Sequence, residues 1–229
     1  MRFACILKIR PISDTGMDFL ILWNPRPRAV SLTRKEAKDM DVFTAIKERR
    51  SCRDFLPEPV SEDIIERILE AAIWAPSPLN TQPWEFVVIT NEEVKKKILS
   101  EADRCRNWAH EKSGWKWLGS YQMGFLQSAP VIIAVIGDPN KTGVDMFQEE
   151  GTVGYQHACA AAVQNIHLAA HALGLSSLWF TFFDKKPLRE ILGIDPDKTP
   201  LALVCLGRAG AEIKKTPRKE VSEKTRYIR

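Results

Sequence analysis

Long hydrophobic runs, paired cysteine motifs and a large charge of one sign are all missing from this sequence of 229 residues. The longest apolar stretch near its start, residues 17–23, contains Asp18 and is far shorter than the roughly 20 apolar residues that cross a bilayer. The first residues also lack the ordered pattern of a secretory signal peptide. The five cysteines are scattered without CxxC spacing, which is typical of a reducing compartment. We therefore expect a cytoplasmic protein with no membrane segment.

Motifs for nucleic acids, dinucleotides and metals are missing as well. The 33 basic and 29 acidic residues leave a net charge of +4, too little to favour wrapping along a nucleic acid. Gly151 and Gly154 precede a helix but lack the strand-first GxGxxG pattern of a Rossmann site. His167 and His171 lie four residues apart, as helical zinc ligands do, but no HExxH and no third ligand accompany them. We expect these histidines to pack or cap, and we predict no metal and no nucleic-acid partner.

The chain changes character at Met40. Residues 1–39 mix short apolar pieces with prolines and basic residues and show no sustained periodicity. From there on, apolar positions recur at helical or strand spacing over a length suited to one domain. We hypothesise that residues 1–39 form an N-terminal extension or arm, that Met40 is the natural start, and that residues 40–229 form one domain ending in a basic arm.

Helical and strand patterns alternate through this domain. One helix is expected to follow Asp41, a possible cap, and another to follow Ser61. An alanine-rich helix is predicted at residues 153–173, closed by Gly174, and a short helix at residues 187–192. Buried strands are predicted at residues 84–90, 131–136, 177–183 and 201–206. This order indicates an α/β or α+β fold, with a sheet covered by helices on both faces.

Three arginines and a serine follow the first predicted helix. Arg49, Arg50 and Arg53 place three guanidinium groups within five residues, and Ser51 adds a hydroxyl. Guanidinium groups bind phosphate or carboxylate through paired N–H donors. Basic residues at the end of a helix are, however, also typical of a solvated surface, because they favour the negative pole of the helix dipole. The segment alone leaves both interpretations open.

A stiff polar loop follows the second predicted helix. In Ala-Pro-Ser-Pro-Leu-Asn-Thr-Gln-Pro-Trp, residues 75–84, three prolines restrict the backbone around several hydrogen-bonding side chains. Such a loop loses little conformational freedom on binding. Amide side chains offer a donor and an acceptor together, which suits the mixed edge of a planar heterocycle. Taken alone, the segment is also compatible with a simple proline-rich turn.

The order of these segments resembles the FMN-dependent nitroreductase family. Arg-Arg-Ser-x-Arg at the end of a helix precedes Ala-Pro-Ser-x-x-Asn-x-Gln-Pro-Trp. Gln164-Asn165 and Leu173-Gly174-Leu175 then resemble the family's central helix, and Ser176-Ser177-Leu178-Trp179 its flavin-facing strand. The resemblance covers residues 40–218. It implies a central, mostly antiparallel sheet in a domain-entwined homodimer, with FMN as the bound cofactor and NAD(P)H as a transient reductant.

The resemblance also assigns residues to the flavin. Arginines and serine of the first motif would hold the phosphate and ribityl chain, the proline loop would lie against the ring from the partner subunit or near its ribityl edge, and the strand would approach the pyrimidine side. A basic residue near the C-terminus would complete the phosphate site, with Arg218 a better match than Arg208. The FMN-binding residues implied in this way are Arg49, Arg50, Ser51, Arg53, Pro76, Ser77, Asn80, Gln82, Ser177, Trp179 and Arg218.

The substrate side is implied to be a lid at residues 103–125. Its candidate residues are Trp108, Trp115, Trp117 and Tyr121, whose rings could stack on a nitroaromatic or a quinone. Packing of several of these aromatics into the core or a dimer interface is the alternative. Because the flavin itself carries hydride chemistry, we name no catalytic acid or base, and one shared ring face would give ping-pong kinetics.

Three other functions remain open. A flavin-binding sensor or carrier without turnover would have the same phosphate site. A flavin-consuming branch of the superfamily makes the lower ligand of cobalamin. A halotyrosine-dehalogenating branch uses an acid, a tyrosine and a lysine in the lid, to which Glu111, Tyr121 and Lys112 are only a loose match.

Overall fold

A computed structural model of the protein describes residues 40–149 and 151–229. The predicted N-terminal extension, residues 1–39, lies outside the described residues. The hypothesis that Met40 is the natural start concerns the same part of the chain. Four strands form one antiparallel sheet in the order β1-β2-β4-β3. Their bounds are β1 Trp84–Ile89, β2 Val131–Gly137, β3 Ser176–Phe180 and β4 Thr199–Gly207. The helices are α1 Val42–Glu48, α2 Glu62–Ile73, α3 Glu92–Ser113, α4 Lys116–Ser120, α5 Phe125–Ser128, α6 Gly154–Ala172 and α7 Lys185–Leu192.

Helices cover both faces of the sheet, as the sequence predicts. Successive side chains of a strand point to opposite faces. On β2, Val131, Ile133 and Val135 therefore join one core with α2 and α6, while Ile132 and Ala134 join a second core with α3, α5 and α7. All seven residues of β2 are buried. The fold is accordingly α+β, and β2 is shared by its two cores.

The central helix α6 is fixed at both ends by local chemistry. Asp145 accepts hydrogen bonds from the backbone N–H groups of Val153, at 2.9 Å, and Gly154, which satisfies donors that a helix start leaves free. At the other end, Gly174 has a φ of +75°, and the N–H of Leu175 donates to the carbonyl of Ala170 at 2.8 Å. This is the left-handed glycine termination predicted from the sequence. Small buried residues along the helix let α2 pack closely against it.

Helix α1 presents its apolar side to solvent. Asp41 caps the helix as predicted, since its carboxylate accepts from the N–H groups of Phe43 and Thr44 at 3.0 and 3.1 Å. Val42, Phe43 and Ile46, which share one face, are 55%, 70% and 52% exposed. Ser61 stands at the N-cap position of α2, but its side chain makes no capping hydrogen bond. The exposed face of α1 lacks a covering element within the described residues.

The sequence analysis missed one helix and placed the end of one strand too late. No helix was predicted at the 22 residues of α3, because its buried side includes Lys95 and Glu101, whose charges interrupt the apolar periodicity. The cap at Asn91 and the left-handed Gly114 were the available signals. The predicted strand at residues 177–183 ends at Phe180, where the chain turns before α7. Among the described residues, every helix is too short or too polar to cross a membrane.

Shortening Ile166 should destabilise the fold in proportion to the atoms removed. This side chain of α6 is 0% exposed and belongs to the core between α2 and the sheet. We expect Ile166→Val to lower the free energy of unfolding by about 1 kcal/mol and Ile166→Ala by about 2–5 kcal/mol, because the larger change leaves a cavity. Chemical denaturation measures both. Equal stabilities for the three proteins would contradict this packing.

Candidate functional site

The arginine segment after α1 lies against the sheet. Ser51 forms a parallel bridge with Ser177 of β3, and the N–H of Cys52 donates to the carbonyl of Ser177 at 3.0 Å. Four residues later, the N–H of Leu56 donates to the carbonyl of Arg208 at 2.9 Å. The segment therefore runs along the sheet edge with a fixed backbone, and it is not a loose helix end.

Beside this segment lies a small cavity of about 110 Å³. It opens between the end of α1, the last turn of α6, the start of β3 and the chain that follows β4. Its lining consists of Glu48, Arg49, Arg50, His171, Leu175, Ser176, Ser177, Ile213 and Lys215. Three permanent cations against one carboxylate make this cavity suited to an anion.

Two nitrogen atoms at this cavity are unpaired. Among the described residues, Arg50 Nε and His171 Nε2 are the buried side-chain nitrogens without a hydrogen-bond partner. Arg50 is otherwise held by its Nη1 atom, which donates to the carbonyls of Lys47 and, at 2.8 Å, Arg49. An unsatisfied buried polar group costs about 1–3 kcal/mol. Both nitrogens fit a site in which a ligand supplies the missing partner.

Like charges converge at Arg49. Burial, and then the positive charges of Arg50 and Arg218, lower the pKa of the Arg49 guanidinium from its usual value. Arg218, from the C-terminal segment, therefore lies near enough to Arg49 for its charge to act on that guanidinium, although it is not among the residues that line the cavity. Such a cluster is stabilised when a phosphate or another anion neutralises it. Arg208, the weaker choice, instead pairs with Glu58 at 3.2 Å.

A buried histidine supports the strand beside the arginines. His167 Nδ1 lies 2.7 Å from Ser177 Oγ, and the His167 ring centroid lies 6.0 Å from that of Trp179. Burial, and secondarily the charge of Arg49, lowers the pKa of His167 to about 4. The imidazole is consequently neutral near physiological pH and fixes the hydroxyl of Ser177 without adding charge. Trp179 remains 41% exposed, so part of its ring faces outward.

The proline loop has an unusual backbone. Leu79, Asn80 and Gln82 adopt positive φ values of 49°, 54° and 45°, which L-residues rarely do. Hydrogen bonds hold this conformation, since the Gln82 N–H donates to Ser77 Oγ at 3.1 Å and Gln82 Nε2 donates to Asn80 Oδ1 at 3.2 Å. Strained residues of this kind cluster at binding sites. Pro76 precedes these residues at the exposed start of the loop.

The loop and the arginine cavity lie at opposite ends of α6. Thr81 Oγ1 donates to the carbonyl of Lys141, close to the residues that cap the start of the helix. The cavity instead contains His171, from the last turn of α6. A helix of 19 residues is about 28 Å long. The two halves of the predicted site are thus well separated within one copy of the chain.

Aromatic side chains connect the predicted lid to the core. Trp115 stacks near Trp117 at 6.1 Å between centroids, and Trp117 meets Tyr121 edge-on at 5.9 Å. The series continues to Phe125 and Phe180, which are buried. Residues 103–125 are therefore partly exposed and partly packed into the core. Their exposed members are Trp108, Trp115 and Trp117, at 60%, 59% and 55%.

Tyr121 also connects the lid to the arginine segment. Its hydroxyl lies 3.4 Å from Arg53 Nε, and its backbone carbonyl accepts from Arg106 at 3.0 Å. A movement of the lid would therefore change the surroundings of Arg53.

One group of potential metal ligands is occupied by an arginine. Ligand atoms of Glu101, Cys105 and Asp184 lie within 4.8 Å of one another. The guanidinium of Arg104 binds both oxygens of Glu101 at 2.8 Å and also contacts Asp184. A positive group thus stands where a cation would bind, which favours a structural ion-pair network.

Among the cavity residues that sequence reasoning missed are two basic side chains, His171 and Lys215. His171 was expected only to pack or cap, and Lys215 was not selected from the basic tail. The pair spacing of His167 and His171 was the available signal, because it places both on the helix side that faces the arginines. Without the fold, that side could not be distinguished from a packed one.

Comparisons with known proteins show similarity to one protein family. The family profile described as Nitroreductase family matches residues 46–208. A protein of Archaeoglobus fulgidus, provisionally named NADH dehydrogenase/NAD(P)H nitroreductase, is 35% identical over 166 residues, 69% of this chain and 80% of its own. The 5,6-dimethylbenzimidazole synthase of Rhodospirillum rubrum is 27% identical over 163 residues, 69% and 77% of the two chains. A nitroreductase of Desulfitobacterium hafniense, solved with bound FMN, superposes with a TM-score of 0.67 at 26% identity, covering 83% of this chain and all of that one.

Acid should destabilise the fold through His167. The ordinary pKa of about 6.5 applies to the unfolded chain, whereas the folded value is about 4. Between these values the unfolded state binds more protons, so the free energy of unfolding falls as pH falls, by up to about 3 kcal/mol. We expect His167→Gln to reduce this slope and the exposed His157→Gln to retain it. Denaturant unfolding at several pH values measures the difference, and identical slopes in all three proteins would be inconsistent with a neutral buried His167.

Proposed function

The chain belongs to the nitroreductase family, and from that premise we propose that it is an FMN-dependent oxidoreductase. In this proposal, electrons pass from NAD(P)H to a flat acceptor such as a nitroaromatic or a quinone. The observation that carries it is the cationic cavity beside Ser177, where a buried arginine nitrogen lacks a partner. A relative solved with FMN supports the choice of cofactor.

Donors at the cavity and on the segments beside it fit the phosphate of FMN. Arg49, Arg50 and Arg218 supply three guanidinium groups, and Ser51 supplies a hydroxyl on the same fixed segment. We assign these four residues to the phosphate and the ribityl chain. Because the backbone of Ser51 is already ordered against β3, little conformational freedom is lost when the anion binds.

We assign Trp179 and Arg53, which lie nearer to the predicted lid, to the isoalloxazine ring of FMN. When bound, FMN supplies hydride transfer at N5 of its ring. Trp179 offers an exposed ring next to the neutral His167, which holds Ser177 in place. Arg53 places a positive charge beside Tyr121, where it would favour the negative charge that reduction brings to the ring.

The exposed tryptophans suit a flat acceptor. Trp115 and Trp117 lie on the outer end of the aromatic series, and each leaves more than half of its surface open. Stacking on such rings binds planar compounds with little demand for specific hydrogen bonds. We assign Trp108, Trp115, Trp117 and Tyr121 to this lid, which would set the preference among acceptors.

A second copy of the chain completes each site in this proposal. The proline loop lies at the far end of α6 from the arginine cavity, so Pro76, Ser77, Asn80 and Gln82 would serve the flavin of a partner. Extensive exposed apolar surface supports such a homodimer, because soluble monomers rarely leave so much uncovered. This surface includes Phe43 at 70%, Trp74 at 80%, Leu79 at 75% and Phe147 at 83% exposure.

Steady-state kinetics test the reaction. The purified protein, loaded with FMN, should oxidise NADH or NADPH continuously when a quinone or a nitroarene is supplied. If both substrates use one face of the ring in turn, double-reciprocal plots at several fixed acceptor concentrations will be parallel. Intersecting lines would contradict the shared face.

The same assay separates the remaining functions. Reduction of a single equivalent of FMN without turnover would identify a sensor or carrier. Loss of FMN absorbance in air with a reductant would indicate the flavin-consuming branch, and halide release from a halotyrosine would indicate the dehalogenating branch. A protein that does not bind FMN would overturn the proposal.

Mixed dimers test whether two copies build each site. Arg49→Ala removes a phosphate ligand, and the double change Asn80→Ala with Gln82→Ala removes the loop contacts. Each homodimer should bind FMN at least about tenfold more weakly, since hydrogen bonds to charged groups contribute about 1.5–3 kcal/mol.

A heterodimer of the two variants should regain one wild-type site, because one copy supplies Arg49 and the other supplies the loop. Titration of differently tagged, co-purified heterodimers with FMN should find one tight site per dimer. Absence of any tight site would show instead that both motifs act within the same copy.

A further inference from the structure

His171 lies at the arginine cavity with an unused nitrogen. It belongs to the last turn of α6, and its Nε2 atom is buried without a partner among the described residues. Arg50 Nε, which is unpaired in the same way, lines the same cavity. Both residues line the same small cationic cavity, so one ligand bound there could pair with both nitrogens.

The ring of His171 is surrounded by charge from three parts of the chain. Burial has the largest effect and lowers its pKa, as do Arg49 and Arg50, whereas Glu48 raises it. Lys215 of the C-terminal segment lines the same cavity, and His167 one turn earlier is neutral. The negative pole at the end of α6 favours a protonated histidine. Without an anion, burial and the neighbouring cations therefore hold the pKa of this imidazole below its usual value.

We propose that His171 is a proton-coupled ligand of the FMN phosphate, so that binding of the cofactor is linked to uptake of a proton by this ring. The inference rests on the proposed function and goes beyond it, because it adds a titratable residue to a site otherwise built from permanent charges.

The proton comes from solvent and stays on the imidazole. A neutral ring carries one N–H and one acceptor nitrogen, and protonation turns both nitrogens into donors. Nε2 then donates to a phosphate oxygen, and the dianion offsets the repulsion from Arg49 and Arg50. By linkage, a ligand that stabilises the protonated ring binds more tightly as pH falls.

Affinity measurements across the neutral range provide the first test. The second pKa of a phosphate ester is about 6, so above that value FMN is a dianion and its own titration contributes little. We expect FMN affinity of the wild-type apoprotein to fall by about tenfold as pH rises through this range, the factor that matches one unit of pKa difference between free and bound protein. Riboflavin, which lacks the phosphate, should show no such trend.

Calorimetry provides the second test. FMN is titrated into apoprotein in buffers that differ in ionisation enthalpy, which yields the number of protons taken up on binding. Wild type and the exposed His157→Gln control, on the same helix, should take up more protons than His171→Gln. His171→Lys, with a permanent charge, should bind FMN tightly and show little pH dependence.

The outcomes separate the two proposals. Equal proton uptake by wild type and His171→Gln, or an equal dependence of FMN affinity on pH, would overturn the role of His171 while leaving FMN binding intact. Failure of the wild-type protein to bind FMN at any pH would overturn the proposed function and this inference together. A circular dichroism spectrum shows whether each variant retains its fold.

Discussion

The position of the arginine segment beside the cavity depends on the backbone hydrogen bond between Cys52 and Ser177. It fixes the arginine segment to β3, and β3 is paired in turn with β4 at the centre of the sheet. The segment carries the guanidinium groups of Arg49, Arg50 and Arg53. Like charges repel more strongly as they lose water, so a fixed backbone is needed to keep these groups near one another. The sheet supplies that rigidity, and the cavity beside Ser177 is its result.

The arginine cavity and the exposed tryptophans are built from different parts of the chain. The arginine cavity rests on α6, β3 and the fixed segment, all of which belong to packed elements. Residues 103–125, the predicted lid, instead begin within the last turns of α3 and carry three exposed tryptophans, with Tyr121 as their contact to Arg53. If the cavity binds the cofactor and the tryptophans bind the acceptor, as proposed, acceptor specificity can change while the cofactor site stays the same.

Sequence reasoning succeeded where one local signal decided the structure. The cap at Asp41 and the left-handed Gly174 are such signals, and both lie where they were predicted. It failed on α3 because buried Lys95 uses its charge to donate to the carbonyls of Gln127 and Ala129, a partnership that no periodicity reveals. Periodicity also does not reveal contacts between residues that are distant in sequence. The role of Arg218 beside Arg49 was therefore predicted only from the family resemblance, and the position of His171 at the cavity became known only from the fold.

The opposite placement of the proline loop and the arginine cavity along α6 has a consequence for how the protein would behave on dilution. If each flavin contacts two chains, then the free energy of FMN binding is coupled to the free energy of subunit association. FMN would raise the association constant of the subunits, and dissociation of the subunits would release FMN. Retention of colour would then depend on protein concentration as well as on affinity, and a yellow stock could bleach in a dilute assay without any chemical loss of flavin.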